Sequence, residues 1–266
     1  NYLASTPLVR RRSRLLRPLA ARVERRILTG AEVLPVITTQ LLEELAARGI
    51  PRDRLVLTPN AVDAEEFAIP PDGREARARL EIPADAAVVG FVGGFYPWHG
   101  LDLLVEALRP LAGPGLFVLL VGDGPERARL EALAGSPAYR FSGAVPRGEL
   151  RGVLGAMDVA VIPDSNDYGS PMKMFEYLAA GKIGVFPRLG PVTDIVRDGE
   201  HALLFDRGDV SSLRAALRRA LEGGAALRGM AAAGRAKVLS EHTWLRNAQR
   251  ILGTRYLRQS AQLYGK

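Results

Sequence analysis

The sequence predicts an α/β protein built on a doubly wound parallel sheet, and three observations carry that expectation. Apolar runs such as AVVGFVG (87–93), LFVLLVG (116–122), DVAVIP (158–163) and IGVFP (183–187) are continuous rather than alternating, as in strands buried on both faces. Amphipathic segments separate them, so strand and helix alternate along the chain. Glycine-bearing loops follow the strands, at the carboxyl ends where such a sheet binds ligands.

In order, EVLPVIT (32–38) predicts a strand, QLLEELAARG (40–49) a helix closed by Gly49, and RLVLTPN (54–60) a second strand. The polar stretch 62–87, with Pro70, Pro71 and Gly73, reads as a connection carrying a short helix. The strand at 87–93 leads into a helix near 100–111, and the strand at 116–122 into one near 125–135. YRFSG (139–143) is a strand, followed by a helix near 147–156, the strand at 158–163, a helix at 171–180 and the strand at 183–187. From about residue 209 the pattern is helical, ending in a helix from Thr243 to Leu263, with no internal repeat and no low-complexity tract.

At 266 residues and 47% hydrophobic, the chain can bury one large core or two modest ones. It has no run of about 18 apolar residues, which leads to the expectation of a soluble protein. The absence of cysteine excludes disulfides and thiolate metal sites. The three scattered histidines (His99, His201, His242) argue against a catalytic zinc centre, and no metal is expected. The net charge of +7 is concentrated near the start, where eight arginines fall between Arg10 and Arg26 against Glu24 alone. With Leu15, Leu16, Leu19, Val23 and Ile27 at helical spacing, this stretch reads as a basic helix. It is either packed by its leucines or laid on an anionic membrane surface. Nucleic acid is not expected, because no aromatic residue is interleaved with the arginines.

Four strand-end loops carry the candidate chemistry: GGFYPWHG (93–100), GDGPE (122–126), GAVPRGEL (143–150) and DSNDYGSP (164–171). Gly93, Gly94, Gly122 and Gly124 would let backbone approach a ligand closely. Gly122-Asp123-Gly124 lacks the third glycine of the dinucleotide fingerprint, so that match is poor. SPMKMFEYLAAGK (170–182) predicts a helix with Ser170 as N-cap and Pro171 at its first position. Met172, Phe175 and Ala179 would bury one face; Lys173, Glu176 and Ala180 lie on another. A lysine in the first turn, where the dipole is already positive, is unusual unless an anion binds there. A carboxylate one turn further suits ribose hydroxyls, so the pattern fits a nucleoside diphosphate, beside the plainer reading of a surface Lys–Glu pair.

With these residues in view, the chain resembles the C-terminal half of a retaining GT-B glycosyltransferase, of the large group 1 (family 4-like) class that includes sucrose and glycogen synthases. RLVLTPNAVDAEEF (54–67), VVGFVGGFYPWHGLDLLVEAL (88–108), LLVGDGPERARLE, FSGAVPRGEL and SPMKMFEYLAAGK follow in the family's order, over roughly residues 30 to 250. The resemblance implies a Rossmann-like donor domain at 59–242, preceded by the tail of an acceptor-side domain (1–58) and followed by a C-terminal helix (243–266). It implies a nucleotide-diphosphate sugar as donor substrate rather than a cofactor. Gly93 and Gly94 would line the phosphate site, and Ala144 and Val145 would hold the base. Ser170, Pro171 and Met172 would offer amides to the diphosphate, Glu176 would accept ribose hydroxyls, and Lys173 would balance the phosphates. The acceptor (glycan, lipid or small molecule) would bind mainly to the missing N-terminal domain. Cytoplasmic placement, at most peripheral to the inner membrane face, goes with that class.

Several positions depart from the family. Gly94 stands where a basic residue is usual, and His99 where a lysine precedes the next glycine, so His99 is the candidate to take over a phosphate or sugar contact. The family's glutamate pair ends at Glu176, but its first position is Tyr168, leaving Asp167 as a substitute carboxylate. Asn60-Ala61 replaces Asn-Gly. The chain begins with Asn1 and matches little of the acceptor half, so it is either a piece of a longer protein or naturally short. The alternatives to transfer are a nucleotide-sugar-binding module without activity, or a nucleotide-sugar epimerase on the same architecture.

Overall fold

The computed structural model describes residues 7–264 except 112 and 114, with side chains from 19 to 254 outside those positions. Helix α1 (Pro7–Gly30) leads to strand β1 (Leu34–Val36), helix α2 (Thr39–Ala47) and strand β2 (Leu55–Leu57). β1 and β2 pair in parallel as a small separate sheet. Helix α3 (Arg74–Arg79) lies in the polar connection. Then come β3 (Ala87–Val92), α4 (Leu101–Leu108), β4 (Leu116–Val121), α5 (Arg127–Ala134), β5 (Tyr139–Gly143) and α6 (Arg147–Ala156). The chain continues through β6 (Val159–Val161), α7 (Met172–Ala179), β7 (Ile183–Pro187), α8 (Gly190–Thr193) and β8 (Leu203–Phe205). It ends in α9 (Val210–Glu222), α10 (Ala225–Glu241) and α11 (Trp244–Tyr264).

Six strands form one all-parallel sheet in the order β5-β4-β3-β6-β7-β8. The chain winds outward in one direction from β3 and then in the other from β6, so the topological switch point lies between those two strands. β3 shows why the sheet is buried on both sides: Val88 enters one core, while Val89 and Phe91 enter the other. The first core is closed by α6 and α7 through Val153, Leu154, Phe175 and Leu178. The second is closed by α4 and α9 through Leu104, Leu108, Leu213 and Leu217. A third cluster around Val36, Leu45 and Leu55 belongs to the β1–β2 unit.

The segment that follows β2 is tied to the α10–α11 junction by hydrogen bonds. Val62 N–H donates to His242 O at 3.1 Å, and Trp244 N–H donates to Val62 O at 3.1 Å. Asn247 adds a bond from its side-chain amide to Pro59 O at 2.7 Å. Ala61 is buried and has no positive φ, so the missing glycine of the PN segment costs no strain.

The helix at 170–182 departs from the sequence reading at its start. Pro171 is the N-cap residue and no side chain caps the helix, because Ser170 is engaged elsewhere. Its buried face is Met174, Phe175, Tyr177, Leu178 and Ala179, with Met172 only half-buried. Strand β8 and the short α8 are additions within a segment, 188–208, that carries no periodic signal. Of the basic stretch, the side chains of Arg10 to Arg17, Leu15 and Leu16 lie outside the described residues.

Candidate functional site

The loops after β3, β4, β5 and β6 all emerge at the carboxyl edge of the sheet, and α7 begins there. Tyr177 anchors α7 against β3: Val92 N–H donates to its buried hydroxyl at 2.7 Å. This sets Lys173, one turn earlier, beside the end of β3. Its ammonium lies 4.7 Å from the centre of the Phe91 ring, and a Cβ on Gly93 would come within 3.0 Å of Nζ.

His99 completes this cluster. Its Nδ1 lies 2.5 Å from Gly94 O, an oxygen that only accepts, so the proton sits on Nδ1. Nε2 is then free to accept from Lys173 Nζ at 3.3 Å. Burial, followed by the charge of Lys173, pushes the imidazole below its ordinary value, keeping it neutral. Burial also drives the Lys173 ammonium from 10.5 down to about 8, with Glu176 opposing. None of the ion pairs between described residues involves Lys173: the half-desolvated cation touches a neutral ring nitrogen and an aromatic face, and Glu176 acts on it from one turn away.

Glu176 lies one turn into α7 with its side chain 13% exposed, 3.9 Å from Arg147. Burial raises its pKa most, Arg147 lowers it, and the Glu66 carboxylate raises it again. Arg147, the first residue of α6, therefore stands between two carboxylates, with Glu66 at 3.4 Å. Of the base-side pair on that loop, Ala144 is exposed and Val145 packs partly on the first core.

The glycines divide into two kinds. A Cβ on Gly122 would fall 2.0 Å from Gly93 O, and one on Gly124 would fall 2.6 Å from Phe95 O. Their glycine identity is accounted for by the close approach of the β3 and β4 loops, which Phe95 N–H laces to Asp123 O at 2.8 Å. Gly94 is explained differently: a Cβ there would lie 2.5 Å from the Tyr96 ring, which occupies the space a basic side chain would need to leave the backbone.

The 163–171 loop is held from both sides. Asn60 N–H donates to Ser170 Oγ at 3.0 Å, and the Asn60 side-chain amide donates to Ser170 O at 2.5 Å. Pro171 has no N–H and Met174 N–H turns back to Pro171 O, so the first-turn amides available to a ligand are those of Met172 and Lys173. Asp167 pairs with Arg207 at 2.6 Å, and the same guanidinium binds Asp164 at 2.7 Å and Ser165 O at 2.8 Å. Asp164 N–H in turn donates to His99 O at 3.1 Å, joining this loop to the one after β3.

The structure thus brings Gly93, Gly94, His99, Lys173 and the first turn of α7 into one cluster, with Glu176 one turn below. It sets Asp167 against Arg207 at the exposed rim. Arg147, Arg207 and Asn60 are polar site residues that sequence reasoning did not single out. Asn60 and Arg147 lay inside quoted motifs, whereas Arg207 had no local signal. No group of described residues has three or more His, Asp or Glu side chains placed to hold a metal ion. A half-desolvated cation and open helix amides meet at the switch point with a carboxylate one turn away, a chemistry suited to an anion.

A parallel sheet in this order defines a Rossmann-like architecture, and comparison with known proteins gives the family. The family model "Glycosyl transferases group 1" matches residues 86–223, and the chain belongs to that family. It is 33% identical over 221 residues to a D-inositol 3-phosphate glycosyltransferase of Acidothermus cellulolyticus, covering 77% of this chain and 48% of that protein. The solved structure of a sucrose-phosphate synthase from Thermosynechococcus elongatus superposes with a TM-score of 0.75 at 27% identity, over 91% of this chain and 61% of that one. Anabaena HepE in complex with UDP gives a TM-score of 0.76 at 19% identity, over 85% and 64%, a likeness of fold. The chain spans about half the length of the curated relatives it matches. Its fold is that of the C-terminal half of GT-B glycosyltransferases. No helix among the described residues is long and apolar enough to cross a membrane.

Proposed function

We propose that this chain supplies the donor site of a retaining glycosyltransferase that moves a sugar from a nucleotide-diphosphate sugar to an acceptor. The observation that carries this reading is Lys173: a half-desolvated ammonium in no ion pair among the described residues, with Glu176 one turn away, at the open end of α7 and beside the switch point. The diphosphate lies against Lys173 and the amides of Met172 and Lys173, while Glu176 takes the ribose hydroxyls. When the glycosyl bond breaks, the electron pair leaves on the diphosphate. The added negative charge is met by groups already in place, in a site that water does not screen fully, and no metal is required. His99 stays neutral and acts on the phosphates through Lys173, whose ammonium it holds against Phe91. Ala144 and Val145 receive the base.

One observation favours a second reading, a donor-binding module with little transfer. The carboxylate closest in sequence to the family's usual one, Asp167, is bound to Arg207. A thermal-shift screen of UDP, GDP and ADP tests the site: at least one should stabilise the protein, and none doing so sinks the reading. Product analysis with a radiolabelled nucleotide sugar then separates transfer, epimerisation and binding without turnover. We place the protein in the cytoplasm, at the periphery of an anionic membrane through α1.

A further inference from the structure

Outside the anion site, one cluster has no task in the reading above. Tyr96 and Trp98 stack face to face, with ring centres 4.6 Å apart and planes 5° from parallel. Both are solvent-facing, at 41% and 49% exposure, although apolar faces of this size are usually buried. The stack is built in rather than loose. Tyr96 packs over Gly94, where a Cβ would fall 2.5 Å from its ring. His99 abuts both rings edge-on, at 6.3 Å from Tyr96 and 6.0 Å from Trp98, and lies 5.6 Å from Phe91 beneath. The order from the interior outward is therefore Phe91 with Lys173, then His99, then the Tyr96–Trp98 pair at the mouth.

From this layering we infer that the Tyr96–Trp98 stack is an acceptor subsite, and that its ligand is a pyranose ring laid on the exposed aromatic face. The inference rests on the donor reading for its place in the reaction, since the stack lies one layer outside the His99–Lys173 pair. A sugar ring offers a face of C–H groups, slightly positive, to the negative face of an aromatic ring, while its hydroxyls stay in water. An exposed, uncharged, flat platform matches that chemistry and does not match a phosphate. Because the two rings are already stacked, binding orders little, which preserves a weak interaction. The 163–171 loop is bonded to the backbone of His99 through Asp164, which fixes the base of the stack. The same cluster accounts for Gly94: the position gives up a side chain so that Tyr96 can cover it.

The test is saturation-transfer difference NMR on the full chain with methyl α-D-glucopyranoside and maltotriose, each with and without UDP. Ring C–H protons of at least one sugar should receive saturation. Trp98→Ala should cut that signal at least about fivefold, the scale of one lost ring contact, and Trp98→Phe should restore most of it. UDP affinity should be the same in Trp98→Ala as in wild type. No transfer to either sugar, or equal transfer in Trp98→Ala, overturns the subsite. A loss of UDP affinity in Trp98→Ala also overturns it, since the stack would then belong to the donor. Failure of UDP to bind wild type would fall on the donor reading alone, because the sugar signal without UDP still tests the platform.

Discussion

Helix α7 has a buried lysine near each end, and the two are held in opposite ways. Lys182, just past the C-terminus, donates to Gly155 O at 3.0 Å, with the Asp158 carboxylate near enough to favour its charge. Asp158 itself pairs with Arg77 at 2.9 Å and accepts from Val88 N–H at 2.8 Å. Arg77 donates further to Ala156 O and Ala86 O. Each donor there has an acceptor within the fold. Lys173, at the other end, has His99 Nε2 and the Phe91 face, with the Glu176 carboxylate near enough to favour its charge, and no backbone oxygen among the described residues accepts from it. Burial lowers both ammonium groups, but one sits in a closed network and the other keeps donor capacity facing the mouth of the sheet. A buried charge with its partners in place is structure, and one left waiting marks a site.

The sharpest way to break this contrast is to make the same substitution at both ends. Lys173→Met should weaken nucleoside diphosphate binding by roughly 10- to 100-fold, the worth of one charge-assisted hydrogen bond. Its unfolding midpoint should hold or rise, because a desolvated charge has been removed. Lys182→Met should do the reverse, costing about 1–2 kcal/mol of stability as Gly155 O loses its donor, with little change in affinity. Calorimetric titration and urea unfolding of both variants decide it. If both lose stability alike and neither loses affinity, the two lysines are equivalent and the site reading fails.

Next in size is a pH effect whose sign differs between binding and folding. Lys173 titrates near 8 in the folded protein against an ordinary 10.5. Above about pH 8 the free protein loses this charge, so diphosphate affinity should fall with rising pH, and Lys173→Met should flatten that part of the profile. Folding runs the other way. Between about 8 and 10.5 the unfolded chain holds more protons on Lys173 than the folded one, so this residue adds stability as pH rises. A slope centred nearer pH 6.5 and abolished by His99→Gln would show that the imidazole itself meets the phosphates, and that its held, neutral state does not survive binding.

Much of this arrangement was legible in the chain. The continuous apolar runs gave the six strands' central members, and the helix at 147–156 and the strand at 183–187 fall where the pattern set them. β8 escaped the reading although it is as long as β1, β2 and β6. Lys173 stood out because a cation is out of place in a first helical turn. What could not be read is pairing across long separations. Arg207 reaches Asp167 over 40 residues, Asn60 reaches Ser170 over 110, and His99 reaches Lys173 over 74. Ser170 illustrates the cost: as a local signal it is a good N-cap, yet a distant backbone N–H claims its hydroxyl. Likewise Gly122 and Gly124 read as ligand glycines, when contact between two loops already requires them.

Glu176 offers a smaller effect within α7. Glu176→Gln keeps the shape and removes an acceptor charge that burial makes costly. Affinity for a ribonucleoside diphosphate should drop about fivefold, roughly one hydrogen bond's net worth. Affinity for the 2′,3′-dideoxy analogue should barely move. Equal losses would detach Glu176 from the ribose.

The smallest expected effect comes from a second contrast, between α7 and α1. α7 buries its apolar face, whereas α1 leaves Leu19, Val23 and Ile27 exposed at steps of one turn, alongside exposed Arg22, Arg25 and Arg26. Leu28, next to this stripe, packs on the third cluster, so the helix is fixed to the fold with that edge left outward. Three apolar side chains alone give weak insertion, and three arginines alone give screened attraction. Together they should hold the protein on anionic vesicles at low salt. Binding should then fall a fewfold as salt rises, because the field reaches only about 8 Å at physiological ionic strength. Sedimentation with phosphatidylserine-containing and pure phosphatidylcholine vesicles measures it, with a Leu19→Ser/Ile27→Ser variant separating the apolar share from the ionic one. The same pelleting with both lipids would leave α1 a solvated basic helix, and the exposed stripe would then belong to contact with protein rather than lipid.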